Sequence, residues 1–147
     1  MAGQLRGLLT VAARVLVVDG ANVVGSVPDG WWRDRRGAAE RLRDALAARG
    51  GDEEVVLVVE GAARGVESVP GVRVESAPGS GDDLIVELAS AYAERGCTVV
   101  TADRELRRRV GELGVRCAGP RTVRPAPRAG AGRTAMAGLW VEWPRTE

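Results

Sequence analysis

The chain has 147 residues, with 21 lysines plus arginines against 20 acidic residues, and no histidine. That length suits one domain with its own core and is too short for a catalytic domain beside a separate binding domain. Without histidine the sequence excludes Ser-His-Asp triads, histidine bases and histidine-ligated metals, so its chemistry must rest on carboxylates.

Other features of the composition point to a soluble protein of the cytoplasm. The two cysteines, Cys97 and Cys117, have neither the spacing of a zinc site nor that of a disulfide framework. No apolar run approaches the roughly 20 residues that span a bilayer, and residues 1–13 lack the pattern of an export signal. We therefore expect no membrane contact and a reducing environment.

Charge is divided unevenly along the chain. Residues 51–100 contain ten acidic residues against three arginines, whereas residues 104–133 contain nine arginines against two glutamates. An acidic centre beside a basic flank suits a metal site next to the path of a polyanion. Solvated helix faces followed by a disordered basic tail would give the same pattern.

Five apolar, β-branched runs predict buried strands, at residues 15–18, 55–59, 72–74, 97–101 and 115–118. Helices are predicted between them at residues 35–49, 82–95 and 105–113, each with apolar residues on one face and a glycine directly after it. Only the link between the second and third strands is too short for a full helix. This alternation predicts a Rossmann-like, three-layer α/β/α domain with a mainly parallel sheet of about five strands.

From Pro120 onward, prolines and glycines interrupt a stretch that is rich in arginine and alanine. We therefore predict a domain at residues 1–119 and a Pro/Gly/Arg-rich C-terminal tail at residues 120–147. The last segment carries Trp140 and Trp143 and could fold back onto the domain or contact a partner. The oligomeric state is left open, with a homodimer among the alternatives.

Acidic residues follow the predicted strands, at the edge where open α/β sheets bind their ligands. Asp19 follows the first strand, Glu60 follows the second, and Asp103 lies just past the fourth. Asp82 and Asp83 open the helix after the third strand. Like charges gathered at one edge need a cation to offset their repulsion, and Mg²⁺ or Mn²⁺ prefers such oxygen ligands.

Each of these acids also has a plain structural interpretation. Asp19 could belong to a simple turn, and Asp103 could cap the helix that follows it. A Ser-x-x-Asp capping box would account for Asp83, which leaves Asp82 as the better ligand candidate. Glu60 is the weakest member and could be an ordinary loop glutamate.

Three segments resemble the motifs of NYN domains: VLVVDGANVVG at residues 15–25, GDDLIVELA at 81–89 and VVTADREL at 99–106. NYN domains are PIN-like nucleases, and they include the group related to the bacterial ribosome-associated mRNA endonuclease. The resemblance spans residues 14–118, and the order of its three motifs makes it fairly specific.

The resemblance implies a PIN-like fold in which the first and fourth strands are neighbours, so that Asp19 and Asp103 face each other. Asp82 would complete the cluster from the start of its helix. Asn22 matches the family's asparagine and would position Asp19 or a metal-bound water. Family members often carry aspartate after the second strand, where this chain has Glu60, and the fourth ligand is therefore left open.

These observations predict a Mg²⁺- or Mn²⁺-dependent ribonuclease, and by the resemblance an endoribonuclease, that hydrolyses RNA phosphodiesters. The catalytic candidates are Asp19, Asn22, Asp82 and Asp103, and the metal ligands would be Asp19, Asp82 and Asp103, with Asp83 and Glu60 as further members. The resemblance also makes the ribosome a candidate partner. The alternatives are a non-catalytic RNA-binding or adaptor domain, and a phosphohydrolase of small nucleotides with a compact pocket.

Two groups of residues are candidates for holding RNA through stacking and phosphate contacts. The first follows the first motif and comprises Trp31, Trp32, Arg33, Arg35 and Arg36; the second comprises Arg104, Arg107 and Arg108. In the alternative interpretation one tryptophan packs in the core and the arginines face solvent.

Overall fold

A computed structural model of the chain describes residues 13–124 together with the backbone of residues 130–136 and 139–145. Its main sheet has five strands: β1 (Val15–Asp19), β2 (Glu54–Val59), β3 (Val72–Ser76), β4 (Cys97–Val100) and β5 (Arg116–Ala118). They lie in the order β3-β2-β1-β4-β5, and every pairing is parallel. The predicted strands are therefore confirmed, and so is the expectation that β1 and β4 are neighbours.

Four α-helices accompany the sheet within the described residues: α1 (Gly20–Gly25), α2 (Arg35–Arg49), α3 (Gly81–Tyr92) and α4 (Arg104–Gly111). The bounds of α2 are those predicted. The predicted end of α3 is wrong by three residues, because Ala93–Arg95 tightens into a 3₁₀ turn before Gly96. The short helix α1 was not predicted. It begins directly after Asp19, whose side chain caps it.

The alternation of side chains along each strand builds two separate cores, one on each face of the sheet. On one face, Leu16, Val18 and Leu57 pack with Leu42 and Leu46 of α2. On the other face, Val17, Val56 and Val99 pack with Ile85 of α3 and Leu106 of α4. Helices thus cover both faces, and the predicted three-layer α/β/α architecture is confirmed.

The link from β2 to β3 contains a 3₁₀ turn, Gly61–Ala63, where the other parallel connections contain α-helices. This agrees with the expectation that the link is too short for a full helix. The turn lies directly after Glu60, and it places this part of the backbone at the same sheet edge as the end of β1.

The segment after β5 packs on the domain for several residues past the predicted boundary at residue 119. Val123 is buried in the core on the α2 face, and the Arg124 guanidinium donates to the carbonyls of Val23 and Val24 at 3.3 and 2.9 Å. Arg124 also bonds the Asp29 carboxylate. The packed part of the chain therefore reaches Arg124.

Further on, the backbone forms an antiparallel hairpin of β6 (Gly130–Met136) and β7 (Leu139–Arg145), which the sequence pattern did not indicate. The expected contacts of Trp140 and Trp143 concern side chains that lie outside the described residues. Across the described ranges, no helix combines the length and apolar character needed to cross a membrane.

Candidate active site

Asp19 lies at the carboxyl end of β1 and is only 7% exposed. Its Oδ2 accepts a hydrogen bond from the Thr101 hydroxyl at 2.9 Å, and its Oδ1 accepts one from the backbone N–H of Asn22 at 3.4 Å. The second bond caps α1. Asp19 thus caps a helix, whereas the sequence suggests a simple turn as its structural role, and its carboxylate also faces the β4 side of the sheet edge.

Thr101 is fully buried at 0% exposure, and its hydroxyl joins two of the candidate carboxylate segments. Val18 pairs with Val100, so the residues that follow, Asp19 and Thr101, come side by side. The same hydroxyl accepts a hydrogen bond from the backbone N–H of Asp103 at 3.1 Å. Sequence reasoning missed Thr101, because a threonine at the end of a valine-rich strand gives no separate signal.

Asn22 supplies a second bridge between the β1 and β4 ends. Its Oδ1 accepts a hydrogen bond from the backbone N–H of Ala102 at 2.8 Å. One oxygen of Asp103, the next residue, accepts from the N–H of Leu106 at 2.8 Å and caps α4. Asn22 therefore fixes the turn that carries Asp103, whose carboxylate is in turn held at the start of its helix.

Glu60 points to the start of α3, where Asp82 lies. Its Oε1 accepts a hydrogen bond from the backbone N–H of Gly81 at 2.5 Å. A Cβ at position 81 would lie 3.0 Å from that oxygen, so glycine allows the close approach. Ser80 caps α3 through the N–H of Asp82, at 3.1 Å. Glu60 is thus an anchored side chain, which differs from the loop glutamate considered in the sequence.

Gly20, directly after Asp19, lies where the structure leaves no room for a side chain. A Cβ at this position would lie 2.5 Å from the carbonyl oxygen of Val58 on the neighbouring strand β2. Such a contact is shorter than real Cβ atoms tolerate, so any side chain would push α1 away from the sheet. The Asp-Gly pair is therefore a strand-to-helix junction that sets where the Asp19 carboxylate lies.

The electrostatics of the site are those of several carboxylates at one sheet edge. The pKa of Asp19 is raised from 3.8 to about 6, chiefly by burial and to a lesser extent by the charges of Asp82 and Glu60, while hydrogen bonds from Thr101 and Asn22 oppose the rise. Burial also raises the pKa of Asp82, with added repulsion from Asp103 and Glu60. Asp82 and Glu60 therefore repel the charge of Asp19, and Asp103 and Glu60 repel that of Asp82.

These acids do not form a closed metal cage. Over the ranges that the structure describes, no three acidic or cysteine side chains are arranged to hold a metal ion by themselves. Asp83 is turned away, because its exposed carboxylate pairs with the guanidinium of Arg109 at 3.1 Å. The structure therefore brings together Asp19, Glu60, Asp82 and Asp103 as an open acidic edge and leaves Asp83 outside it.

We expect the raised pKa of Asp19 to make the metal-free protein less stable as pH rises. The folded carboxyl holds its proton up to about pH 6, whereas the unfolded one loses it near 3.8, so its stabilising contribution is present at low pH and lost across this window. The loss amounts to about 3 kcal/mol. It is measured from urea unfolding in EDTA at several pH values, as the difference between wild type and Asp19→Asn. A difference that does not change between about pH 4 and 7 would contradict the shift.

The arginines predicted to bind phosphate after Asp103 have different surroundings. The Arg107 Nε donates to the carbonyl of Thr101 at 2.9 Å and so belongs to the framework of the site. Arg108 forms surface ion pairs with Glu105 and Glu112, both at 2.5 Å. Arg104 is exposed at the first position of α4. Surface pairs of this kind contribute little to stability, so phosphate can compete for Arg108.

The Trp-Arg group after α1 combines both interpretations that the sequence allowed. Trp31 is half-buried against the core, whereas Trp32 is 50% exposed and stands edge-on to it, with ring centroids 5.8 Å apart. The Arg35 guanidinium lies 5.1 Å from the Trp31 ring centroid, and that of Arg33 lies 5.8 Å from the Trp32 centroid.

Arg36, the remaining member of that group, has a structural role. Its guanidinium donates to the carbonyls of Arg64 and Gly65 at 2.9 and 3.2 Å and so ties α2 to the turn after Glu60. These bonds use one N–H of each terminal nitrogen and fix the direction of the guanidinium.

A cleft of about 370 Å³ opens between α1, the start of α2 and the turn after β2. Gly20 and Glu60 of the acidic edge also line this cleft, and Trp31, Arg35 and Arg64 form its other polar and aromatic walls. Sequence reasoning did not find it, because its walls come from four separate parts of the chain, at residues 20–24, 31–39, 59–64 and 79.

No protein-family model and no curated protein matches the sequence. The structure is similar to a crystal structure of a variant of Rae1 (YacP) from Bacillus subtilis, with a TM-score of 0.58 and 22% sequence identity. The match covers 73% of this chain and 69% of that one. At this identity the similarity concerns the fold alone, and it agrees with the three-layer α/β/α architecture expected from the sequence.

Proposed function

We propose that this chain is a Mg²⁺- or Mn²⁺-dependent ribonuclease that hydrolyses RNA phosphodiesters at the sheet edge of Asp19, Asp82 and Asp103. The observation that carries the proposal is the buried carboxylate of Asp19, whose pKa is raised by burial and by its acidic neighbours. The fold supports a nuclease, and the NYN-like motifs contain the same three aspartates. On this proposal the protein acts on RNA in the cytoplasm, with the ribosome as a candidate partner.

The donor set fits a hard divalent cation. Every candidate ligand offers carboxylate oxygen, which Mg²⁺ and Mn²⁺ prefer, and the repulsion among these groups would be relieved by a positive ion. Mg²⁺ commonly keeps several waters and uses one or two carboxylates plus substrate phosphate, so an open edge suits it without a closed protein cage. Asp19, Asp82 and Asp103 would hold the ion together with its waters and the substrate phosphate, with Glu60 beside them. When bound, such an ion acidifies water and neutralises phosphate charge.

The protein's own groups then have distinct parts in the reaction. Burial and neighbouring charges disfavour ionisation of Asp19 and Asp82, and a bound cation would favour it, so these two carboxylates would act as metal ligands. Asn22 acts as a positioning residue, because its Oδ1 already accepts from the N–H of Ala102. Arg104 and Arg108, which are exposed on α4, would contact the RNA backbone on the β4 side of the edge.

A phosphohydrolase of small nucleotides is the second candidate, and the cleft beside Glu60 is the observation that favours it. Its volume of about 370 Å³ falls at the low end of the range for small-molecule sites. The cleft is continuous with the acidic edge, so a mononucleotide could bind with its phosphate near the carboxylates. Release of inorganic phosphate from nucleotides, without cutting of RNA, would support this candidate over the ribonuclease.

We expect RNA cleavage to depend on added metal. The full chain, incubated with single-stranded and structured RNA, should cut with Mn²⁺ or Mg²⁺, lose at least about 100-fold in rate in EDTA, and recover when Mn²⁺ is restored. Internal fragments, seen on a denaturing gel with end-labelled RNA, would identify an endonuclease. Equal cleavage with and without metal would contradict the proposal, and tight RNA binding without any cleavage would favour an adaptor domain.

A further inference from the structure

The cleft beside the acidic edge has an apolar floor and walls that suit a flat, partly polar ligand. Val24, Ala39, Val59 and Ala63 contribute buried side chains to it, and the indole of Trp31 forms one wall. Sites for small molecules are typically apolar hollows of this kind with a few polar groups at defined positions. A nucleobase combines an apolar face with polar edges and matches such a lining.

The charged side chains that line the cleft are those of Arg35, Glu60 and Arg64. Arg35 lies at the first position of α2 with its guanidinium over the Trp31 ring, at 5.1 Å from the centroid. Arg64 is engaged, since its guanidinium donates to the carbonyls of Ala77 and Pro78 at 2.8 and 3.1 Å. Of these two arginines, Arg35 is therefore the one that is better able to bind a phosphate.

Glu60 connects the cleft to the acidic edge. Its side chain lines the cleft, its Oε1 accepts from Gly81 at the start of α3, and its charge raises the pKa of both Asp19 and Asp82. A ligand in the cleft is thus next to the carboxylates without displacing them. Glu60 would repel a phosphate and accept from amino groups of a base, which leaves the Arg35 side for the phosphate.

We infer that this cleft binds one nucleotide of a single-stranded RNA, with the base against Trp31 and its phosphate at Arg35. The bound nucleotide flanks the phosphodiester that reaches the acidic edge, so the inference rests on the proposed function. The volume of about 370 Å³ favours one nucleoside over a longer segment. Aromatic walls beside arginine hold single strands largely without regard to sequence.

The experiment separates binding from cleavage by using the Asp19→Asn protein without divalent metal. The four 5′-nucleoside monophosphates are titrated into it and binding is followed by calorimetry. We expect each of Trp31→Leu and Arg35→Gln, added to this background, to weaken binding roughly tenfold. Trp31→Phe, which keeps an aromatic ring, should retain most of the affinity. Arg41→Gln, at an exposed arginine of the same helix outside the cleft, should have no effect.

Thermal unfolding of every variant shows whether a loss of binding reflects the cleft or the fold. Undetectable binding of all four nucleotides, or equal losses for Arg35→Gln and Arg41→Gln, would overturn the inference.

In the metal-loaded protein with Asp19 intact, Trp31→Leu should raise KM for a short single-stranded RNA about tenfold and change kcat little. If the Trp31→Leu protein cuts RNA with the KM of wild type, the cleft assignment is overturned and the proposed function is not. Trp31-dependent nucleotide binding in a protein that cuts no RNA would overturn the proposed function alone.

Discussion

Asp19→Asn should lower RNA cleavage by at least about 100-fold while leaving the protein as stable as wild type or more so. The substitution removes the charge that would bind a divalent ion, but it keeps an oxygen that can accept from the Thr101 hydroxyl. The buried charge is costly in the absence of metal, because burial raises the pKa of Asp19 from 3.8 to about 6. Its removal should therefore increase the unfolding free energy of the metal-free protein at pH 8 by about 1 to 3 kcal/mol.

This opposite effect on activity and stability distinguishes a functional carboxylate from a structural one. The matched control is Asp52→Asn, at an exposed aspartate before β2, which should alter neither property. Single-turnover cleavage in Mn²⁺ and urea unfolding in EDTA measure the two properties. A variant that cleaves like wild type would exclude Asp19 from the site, and a loss of several kcal/mol would show that its cap of α1 outweighs its buried charge.

The fold could be predicted because the strands are buried on both faces. Runs such as residues 15–18 and 55–59 are almost wholly β-branched or leucine, which marks central strands of a parallel sheet. Parallel pairing then places all strand ends at one edge, so residues far apart in sequence can be expected to meet there. Helix α2 could be bounded correctly because Asp34 caps its start and Gly50 follows its end.

The contacts within the site could not be predicted in the same way. Thr101 and Asp19 are 82 residues apart, and only the register of β1 against β4 makes their side chains neighbours. The sequence predicts a capping box between Ser80 and Asp83 at the start of α3, but the Ser80 hydroxyl accepts from the N–H of Asp82. Asp83 instead pairs with Arg109 of α4, a partner on another element. A local sequence pattern predicts such a cap, but a partner from elsewhere in the fold can bind the same side chain instead.

The cleft could not be predicted from the sequence for a related reason. Its residues have ordinary local explanations, as Trp31 packs against the core and the turn after Glu60 simply links two strands. Arg36 joins these segments by donating to the carbonyls of Arg64 and Gly65, which holds α2 against the turn. An arginine on a helix start usually suggests a solvated or phosphate-binding side chain. A backbone carbonyl partner 28 residues away cannot be predicted from the local sequence.

Thr101→Val should reduce kcat by about 10- to 100-fold, an effect typical of removing a group that orients the ligands of a metal site. Valine keeps the shape of the side chain but removes the hydroxyl that donates to Asp19 and accepts from the N–H of Asp103. The pKa of Asp19 should rise further, because the hydrogen bond from Thr101 lowers it at present. The N–H of Asp103 also loses its acceptor, which should cost about 1 to 3 kcal/mol of stability.

The activity of the Thr101→Val protein should therefore require a higher pH than that of wild type, which a merely destabilised variant would not show. Thr101→Ser restores the hydroxyl and should recover most of kcat, while Thr98→Val, within β4 at a partly exposed position, should leave the pH profile unchanged. A Thr101→Val protein with wild-type kcat and pH profile would mean that Asp19 and Asp103 act without the link between them. The positions of the strand ends alone would then determine how the carboxylates of the acidic edge are arranged.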